Sequence, residues 1–282
     1  MAKDRCSGWR GAAFRLAGIS VLGLCLLYLV RELSELDLAR LVGSMHLRAW
    51  LATCVAAVVY AACLGLLAQA WVVIAAPGRK LSAMKALAAY GPGTVAKYLP
   101  GSVFQYASRH VIGMRLSMDN ASMAKASLFE AGLHVGIAIG LAIPLIAGGG
   151  WLVLTTCALI AAALSIRPSS SLVLAFALQL LFFCAFAAIV TVIGTLGALT
   201  DDPARLTGFF LVAWVAGFLV PIAPGGIGVR EAALLALAAP YETTDAIVLV
   251  ALLARLVGIV GDGLFGLAGC LAATRLNRQA SA

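Results

Sequence analysis

Long apolar stretches separated by short polar segments make up most of the chain. A membrane-spanning helix needs about 20 consecutive apolar residues, and in lipid a helix satisfies its own backbone hydrogen bonds. The pattern therefore predicts an all-α polytopic membrane protein with about six full transmembrane helices. These helices are expected at about residues 12–30, 50–76, 122–147, 151–166, 172–199 and 246–273.

Two apolar regions, 81–114 and 205–239, are interrupted by proline and glycine. The first contains GPG at 91–93 and then KYLPGSVFQYASRH, and the second contains LVPIAPGGIGVREAALLAL. Each interruption leaves pieces that are too short to cross a membrane. Irregular backbone at membrane depth is tolerated only where protein or a water-filled cavity surrounds it. We therefore expect two re-entrant hairpins, each made of two half-helices.

The order of these elements repeats along the chain. Each half contains three crossings and one hairpin, so the second half is inverted relative to the first. Pro100 and Glu130 are 30 positions apart, and Pro224 and Arg255 are 31 apart. Inverted repeats with broken helices that meet near the midplane are typical of transporters. The single predicted transmembrane domain and its two inverted halves are 1–282, 1–150 and 151–282.

Composition supports a membrane location. Of the 282 residues, 63% are hydrophobic and 11% are charged, and the mean hydropathy is +1.03, whereas a soluble domain is about 25% charged. The net charge of +8 comes from basic residues scattered between the apolar runs. This scatter follows the positive-inside rule and does not indicate a nucleic-acid partner. It predicts that both termini face the cytoplasm, and a short interfacial helix is expected within 31–49.

Seven ionisable residues fall at the predicted membrane depth, where each costs at least about 2.5–3.5 kcal/mol and is a functional candidate. Half-helix N-termini carry partial positive charge, glycine lets a ligand approach the backbone, and arginine offers a planar fork suited to phosphate. These features together indicate a site for an anionic lipid headgroup. The predicted substrate-binding residues are Lys97, Tyr98, Pro100, Gly101, Arg109, Glu130, Pro224, Gly225, Gly226, Gly228, Arg230, Glu231, Arg255 and Asp262.

Within this set, the three arginines are expected to hold the phosphate, and Glu130 and Asp262 to balance charge or couple to protons. A structural alternative assigns the arginines to ion pairs with the carboxylates, Arg230 with Glu231 among them, which would only lock the bundle. His134, one turn after Glu130, is interpreted as a packed side chain. The histidines lack the spacing of metal ligands, and no catalytic motif is present. No metal, no cofactor and no enzyme activity are therefore predicted.

The motifs KYLPGSVFQYASR and PIAPGGIGVREAALL resemble the two signature blocks of the lysylphosphatidylglycerol synthase transmembrane-region family. The resemblance covers about residues 10–275, and Glu130 and Arg255 fall where the family tends to have Glu and Arg. It implies the flippase-like domain of bacterial inner-membrane proteins. Characterised members also carry a cytosolic aminoacyl-transfer domain, which is not expected here. The expected lipid is therefore an aminoacylated phosphatidylglycerol, another phospholipid or a polyprenyl-phosphate-linked sugar.

The sequence thus favours a multi-pass protein of the bacterial inner membrane that binds an anionic lipid and moves it between leaflets. Two alternatives stay open at this point. One is a lipid-linked membrane transferase, and the other is a non-catalytic membrane partner of a glycosyltransferase. The other expected protein partners are a lipid-modifying protein and a second copy of the chain in a homodimer.

Overall fold

The computed structural model describes residues 47–79, 81–98, 103–197 and 199–281, together with Leu27 and Gly43. Within these residues the chain is all-α, as predicted, and contains no strand. The helices are α1 (Leu47–Ala75), α2 (Ala83–Ala96), α3 (Val103–Arg115), α4 (Asn120–Ile146), α5 (Gly150–Ile166), α6 (Ser171–Leu196), α7 (Pro203–Leu219), α8 (Val229–Ala238) and α9 (Thr244–Ser281). A short 3₁₀ turn, Pro224–Gly226, lies between α7 and α8.

Four of the described helices, α1, α4, α6 and α9, are long and apolar enough to cross a membrane. They lie at four of the six predicted positions. The helix α5 lies at a fifth position, but with 17 residues it is shorter than the other four. The predicted helix at 12–30 lies outside the described residues, as does most of the segment 31–49 with its predicted interfacial helix. In the part of the chain that is described, length and composition therefore support four of the five spans predicted there.

The GPG triplet does not interrupt the first broken region, contrary to the prediction. It lies inside α2, which continues through Pro92 to Ala96. Proline removes one backbone hydrogen bond from a helix interior, but helices that are buried among others tolerate this loss. Gly91 and Gly93 are both buried, so their role is in helix packing. The helix ends shortly before residues 99–102, which are outside the described ranges.

The second interruption falls where the sequence predicts it. The helix α8 occupies the predicted range, 229–238. Just before it, Gly225, Gly226 and Gly228 have φ angles of 59°, 73° and 83°, a left-handed region that glycine enters without steric cost. The N–H of Gly228 donates a 2.8 Å hydrogen bond to Oε2 of Glu231. This contact satisfies one of the free N–H groups at the start of α8.

Glycine contacts hold α2 against α9. A Cβ atom added at Gly269 would lie 2.7 Å from the Cα of Gly91 and 2.8 Å from the backbone oxygen of Leu87. Small residues of this kind let helix backbones approach closely in membrane bundles. Close to this contact, Thr94 Oγ1, which donates a 2.7 Å hydrogen bond to the backbone oxygen of Gly91, lies 3.2 Å from the backbone oxygen of Asp262. The glycine contact therefore fixes the depth of Asp262 relative to α2.

The helix α6 lies at the centre of the bundle and packs against α1, α5 and α7. Phe183 of α6 is fully buried, as are Trp71 of α1 and Phe210 of α7. The helix α5, in contrast, buries only Leu154 and Ala161. It therefore lies at the periphery, and the other helices surround the site.

Candidate functional site

A cavity of about 350 Å³ lies inside the bundle, and every described helix except α5 contributes to its lining. Ligand-binding cavities have volumes of about 300–1,000 Å³. Nine of the predicted binding residues line this cavity: Lys97, Tyr98, Arg109, Glu130, Gly225, Gly226, Arg230, Arg255 and Asp262. The two interrupted segments of the sequence therefore converge on one site.

The other five predicted residues do not belong to the described lining. Pro224 and Gly228 shape the backbone on either side of the lining glycines. Glu231 contacts a lining arginine from behind and does not reach the cavity itself. Pro100 and Gly101 lie outside the described residues.

The two interruptions touch each other through their backbones. The N–H of Gly225 donates a 3.2 Å hydrogen bond to the backbone oxygen of Lys97. Nη1 of Arg255 donates a 2.8 Å hydrogen bond to the backbone oxygen of Gly225. A Cβ atom at Gly225 would lie 3.0 Å from Cε1 of Tyr98, so this approach requires glycine. The end of α2, the 3₁₀ turn and α9 thus form one connected wall of the cavity.

Asp262 of α9 binds the end of α2 through its side chain. Oδ2 of Asp262 lies 2.7 Å from Nζ of Lys97 and accepts a 2.6 Å hydrogen bond from the Tyr98 hydroxyl. The Asp262 side chain is 1% exposed, whereas that of Lys97 is 28% exposed. A buried carboxylate needs both a counter-charge and hydrogen bonds; the two residues at the end of α2 supply them to Oδ2, whereas Oδ1 is buried without a partner.

A second ion pair joins Arg109 of α3 to Glu130 of α4. Nη1 of Arg109 lies 2.6 Å from Oε2 of Glu130, and each side chain is 5% exposed. The Tyr90 hydroxyl of α2 donates to the other carboxylate oxygen of Glu130. The Arg109 guanidinium also lies 3.6 Å from the centre of the Tyr90 ring, which is within the range of a cation–π contact. This cluster ties α2, α3 and α4 together at the cavity.

A third ion pair joins Arg255 of α9 to Glu231 of α8, and it corrects the predicted pairing of Arg230 with Glu231. Nε of Arg255 donates a 3.0 Å hydrogen bond to Oε1 of Glu231, and Nη2 of Arg255 contacts the same oxygen. Neighbouring positions on a helix do not face each other. Glu231 therefore points towards α9, while Arg230 points into the cavity.

Arg230 lines the cavity without a counter-charge. Among the described residues it makes no ion pair and no hydrogen bond, and its Nε is buried without a partner. Its guanidinium lies 5.7 Å from the centre of the Trp214 ring. A cation removed from water costs free energy unless an anion compensates it. Arg230 is therefore the side chain in this cavity that is best placed to bind an anionic ligand.

Aromatic side chains form the apolar part of the lining. They are Tyr60, Tyr90, Tyr98, Tyr106, Phe182, Phe186, Trp214 and Phe218. Trp214 and Phe218 stack with their ring centres 5.3 Å apart, and the His134 ring stacks on both. Nδ1 of His134 lies 2.8 Å from the backbone oxygen of Glu130 and 2.9 Å from Oε1 of Gln179. The prediction that His134 is a packed side chain is confirmed.

Sequence reasoning missed the aromatic residues of the site, apart from Tyr98. Tyr90 directly precedes the GPG triplet, so the adjacent motif was a signal for it. Phe182 and Phe186 are four positions apart, as are Trp214 and Phe218, and this spacing places each pair on one helix face. Such pairs are ordinary in apolar helices, however, so the spacing alone could not distinguish them from packing residues.

The cavity is amphipathic, with ion pairs and one uncompensated arginine beside an aromatic surface. Such a lining suits a ligand that carries an anionic group next to an apolar body. No group of three or more His, Cys, Asp or Glu residues that could hold a metal ion occurs in the described ranges. No protein-family model and no curated protein matches this chain.

Proposed function

We propose that this chain is a multi-pass membrane protein that binds a lipid with an anionic headgroup in the cavity and moves it between leaflets. The observation that carries the proposal is Arg230, a cation without an anionic partner beside an aromatic surface. The guanidinium fork suits a phosphate group, and the aromatic side chains suit an apolar body. A membrane lipid combines both features and is already present around the helices.

The outer surface of the bundle favours a lipid over a soluble anion. Leu128, Leu152 and Leu159 are 78%, 75% and 72% exposed, and they represent a wider set of exposed apolar side chains on long helices. Large contiguous apolar surfaces on helices are rare in soluble monomers and are solvated by lipid in membrane proteins. The proposed ligand is therefore a component of the membrane that surrounds the protein.

The proposal includes a topology with six crossings and two re-entrant hairpins. It also places both termini in the cytoplasm of a bacterium. The ion pairs support an inverted repeat. Arg109 of α3 pairs with Glu130 of α4 across 21 positions, and Glu231 of α8 pairs with Arg255 of α9 across 24 positions. In each half, the helix that follows an interruption is thus joined to the next long helix. In the first half the arginine precedes its glutamate along the chain, and in the second half the glutamate precedes its arginine.

Cysteine labelling tests the second hairpin. In a background without the native cysteines, Ile227→Cys should react slowly with a bulky impermeant thiol reagent and faster with a small one, because protein surrounds a re-entrant turn. Tyr241→Cys, in the polar turn after α8, should react rapidly with both reagents. The two native side chains are 44% and 60% exposed, so exposure within the protein does not separate them. Rapid labelling of both positions by the bulky reagent would make 220–228 an ordinary surface loop.

Substitution of Arg230 tests ligand binding. Arg230→Ala should fold, because Glu231 keeps its partner on α9. The movement of fluorescent phosphatidylglycerol in vesicles should fall at least ~10-fold, since a hydrogen bond to a charged group contributes about 1.5–3 kcal/mol. Arg230→Lys should lose less, because lysine keeps the charge but not the fork. Arg167→Ala, at an exposed arginine between α5 and α6, is the matched control. Equal movement by the wild type and Arg230→Ala would contradict the proposal.

A further inference from the structure

We infer that the cavity selects lipids whose headgroup carries a single negative charge, such as a phosphodiester, over lipids with a doubly charged phosphomonoester. The inference rests on the proposed lipid-binding function and goes beyond it to the charge of the substrate. It follows from the balance of charges around the cavity, and it makes the carboxylates of the site determinants of specificity.

The charges of the site compensate one another with one exception. Among the described residues, four cations line the cavity, and three carboxylates contact them. Each carboxylate is in an ion pair with a different cation: Asp262 with Lys97, Glu130 with Arg109, and Glu231 with Arg255. Among the residues of the described site, Arg230 is the cation left over. The described lining therefore carries one excess positive charge when all these groups are ionised.

A ligand with one negative charge neutralises this excess. In an interior of low dielectric constant, a net charge of either sign is costly because it is removed from water. A headgroup with two negative charges would replace an excess of one positive charge by an excess of one negative charge. The electrostatic contribution to binding therefore favours the singly charged headgroup.

A doubly charged headgroup finds no second cation without a carboxylate partner among the described residues of the site. Glu130 accepts hydrogen bonds from both Arg109 and Tyr90. Asp262 likewise accepts from Tyr98 and lies 2.7 Å from the Lys97 ammonium. To take either cation, the ligand would have to leave a buried carboxylate without its counter-charge, which is strongly unfavourable.

Binding of two lipids to the purified full chain tests the inference. Unlabelled phosphatidylglycerol and phosphatidic acid compete with fluorescent phosphatidylglycerol at about pH 8.5, where a phosphomonoester is doubly charged because its second pKa is about 6. The wild type should prefer phosphatidylglycerol by at least ~10-fold, equivalent to about 1.4 kcal/mol. Glu231→Gln raises the excess charge of the cavity by one and should reduce or reverse this preference.

Glutamine keeps the size and shape of the side chain, and its one amide oxygen can still accept from Arg255, while the N–H of Gly228, which donates to the other carboxylate oxygen, loses its acceptor. Asp262→Asn changes the charge by the same amount at a different ion pair, so it should shift the preference in the same direction. It provides the test if Glu231→Gln does not fold. Glu242→Gln, at a carboxylate outside the cavity that contacts Thr200, should leave the preference unchanged.

The outcomes separate the inference from the function on which it rests. If the wild type binds neither lipid, both the proposed function and the inference are wrong. If it binds both lipids equally, or if neither carboxylate substitution changes the preference, the charge inference is overturned and lipid binding stands. The inference is supported if the preference shifts in Glu231→Gln and Asp262→Asn but not in Glu242→Gln.

Discussion

Replacing Glu130 with Ala is expected to lower the free energy of unfolding by about 3–5 kcal/mol, because removing one member of a buried ion pair leaves the other charge uncompensated. Glu130 and Arg109 are each 5% exposed as side chains, so water cannot replace the lost partner. The same substitution also removes the acceptor of the Tyr90 hydroxyl. Three helices lose a common contact, and we expect a lower melting temperature together with a lower yield of folded protein.

The chain offers a matched surface pair as a control. Arg205 and Asp202 form an ion pair between side chains that are 38% and 37% exposed. Exposed pairs of this kind contribute about 0–1 kcal/mol, so Arg205→Ala should change the melting temperature little. The double variant Arg109→Met with Glu130→Met should recover most of the stability lost in Glu130→Ala, because it removes both charges. If Glu130→Ala is as stable as Arg205→Ala, the pair does not hold the bundle together.

The fold class and most helix positions could be predicted because they depend on local pattern. The apolar runs set the helices α1, α4, α6 and α9, and the proline and glycine of 223–228 set the turn before α8. Predicting these features requires only the length of an apolar run or the conformational freedom of glycine. The expectation that proline and glycine interrupt a helix failed at Pro92, because the packing of α2 against α9 outweighs the local preference of proline.

The members of the site could be predicted individually, but their pairing could not. Charged residues are rare in this chain, so those in apolar segments are conspicuous. Which cation meets which carboxylate depends on how far the helices are rotated and shifted, and the sequence does not contain that information. The predicted contact of Arg230 with Glu231 is the clearest case. Adjacent residues on a helix do not face each other, and Glu231 instead finds Arg255 on α9.

The pairing distinguishes the arginines that connect helices from the one that has no ion pair among the described residues. Arg109 and Arg255 are tied to carboxylates and connect helices, as the structural alternative requires. Arg230 has no such partner among the described residues. Under the proposed function, locking and binding are divided between different arginines, and the effects of their substitution should differ. Loss of stability is expected for Arg109, and loss of ligand binding for Arg230.

Replacing Gly269 with Ala should destabilise the protein although it adds only a methyl group. The added Cβ would lie 2.7 Å from the Cα of Gly91 and 2.8 Å from the backbone oxygen of Leu87. Both atoms belong to the backbone of α2, so the clash can be relieved only by moving a whole helix. Overpacking of this kind costs about 1–3 kcal/mol. For a chain of this size that corresponds to a fall in melting temperature of about 2–4 °C per kcal/mol.

Gly263→Ala is the matched control for this effect, because Gly263 lies on the same helix and a Cβ atom there would have no atom within 4 Å. It should keep or raise the melting temperature, since alanine favours a helix by about 1 kcal/mol over glycine. Displacement of α2 from α9 would also move Asp262 away from Thr94 and Lys97. Gly269→Ala should therefore reduce lipid movement in vesicles as well as stability, whereas Gly263→Ala should reduce neither. If both variants melt at the same temperature, the glycine contact does not set the spacing of the two helices, and the position of Asp262 must depend on its ion pair alone.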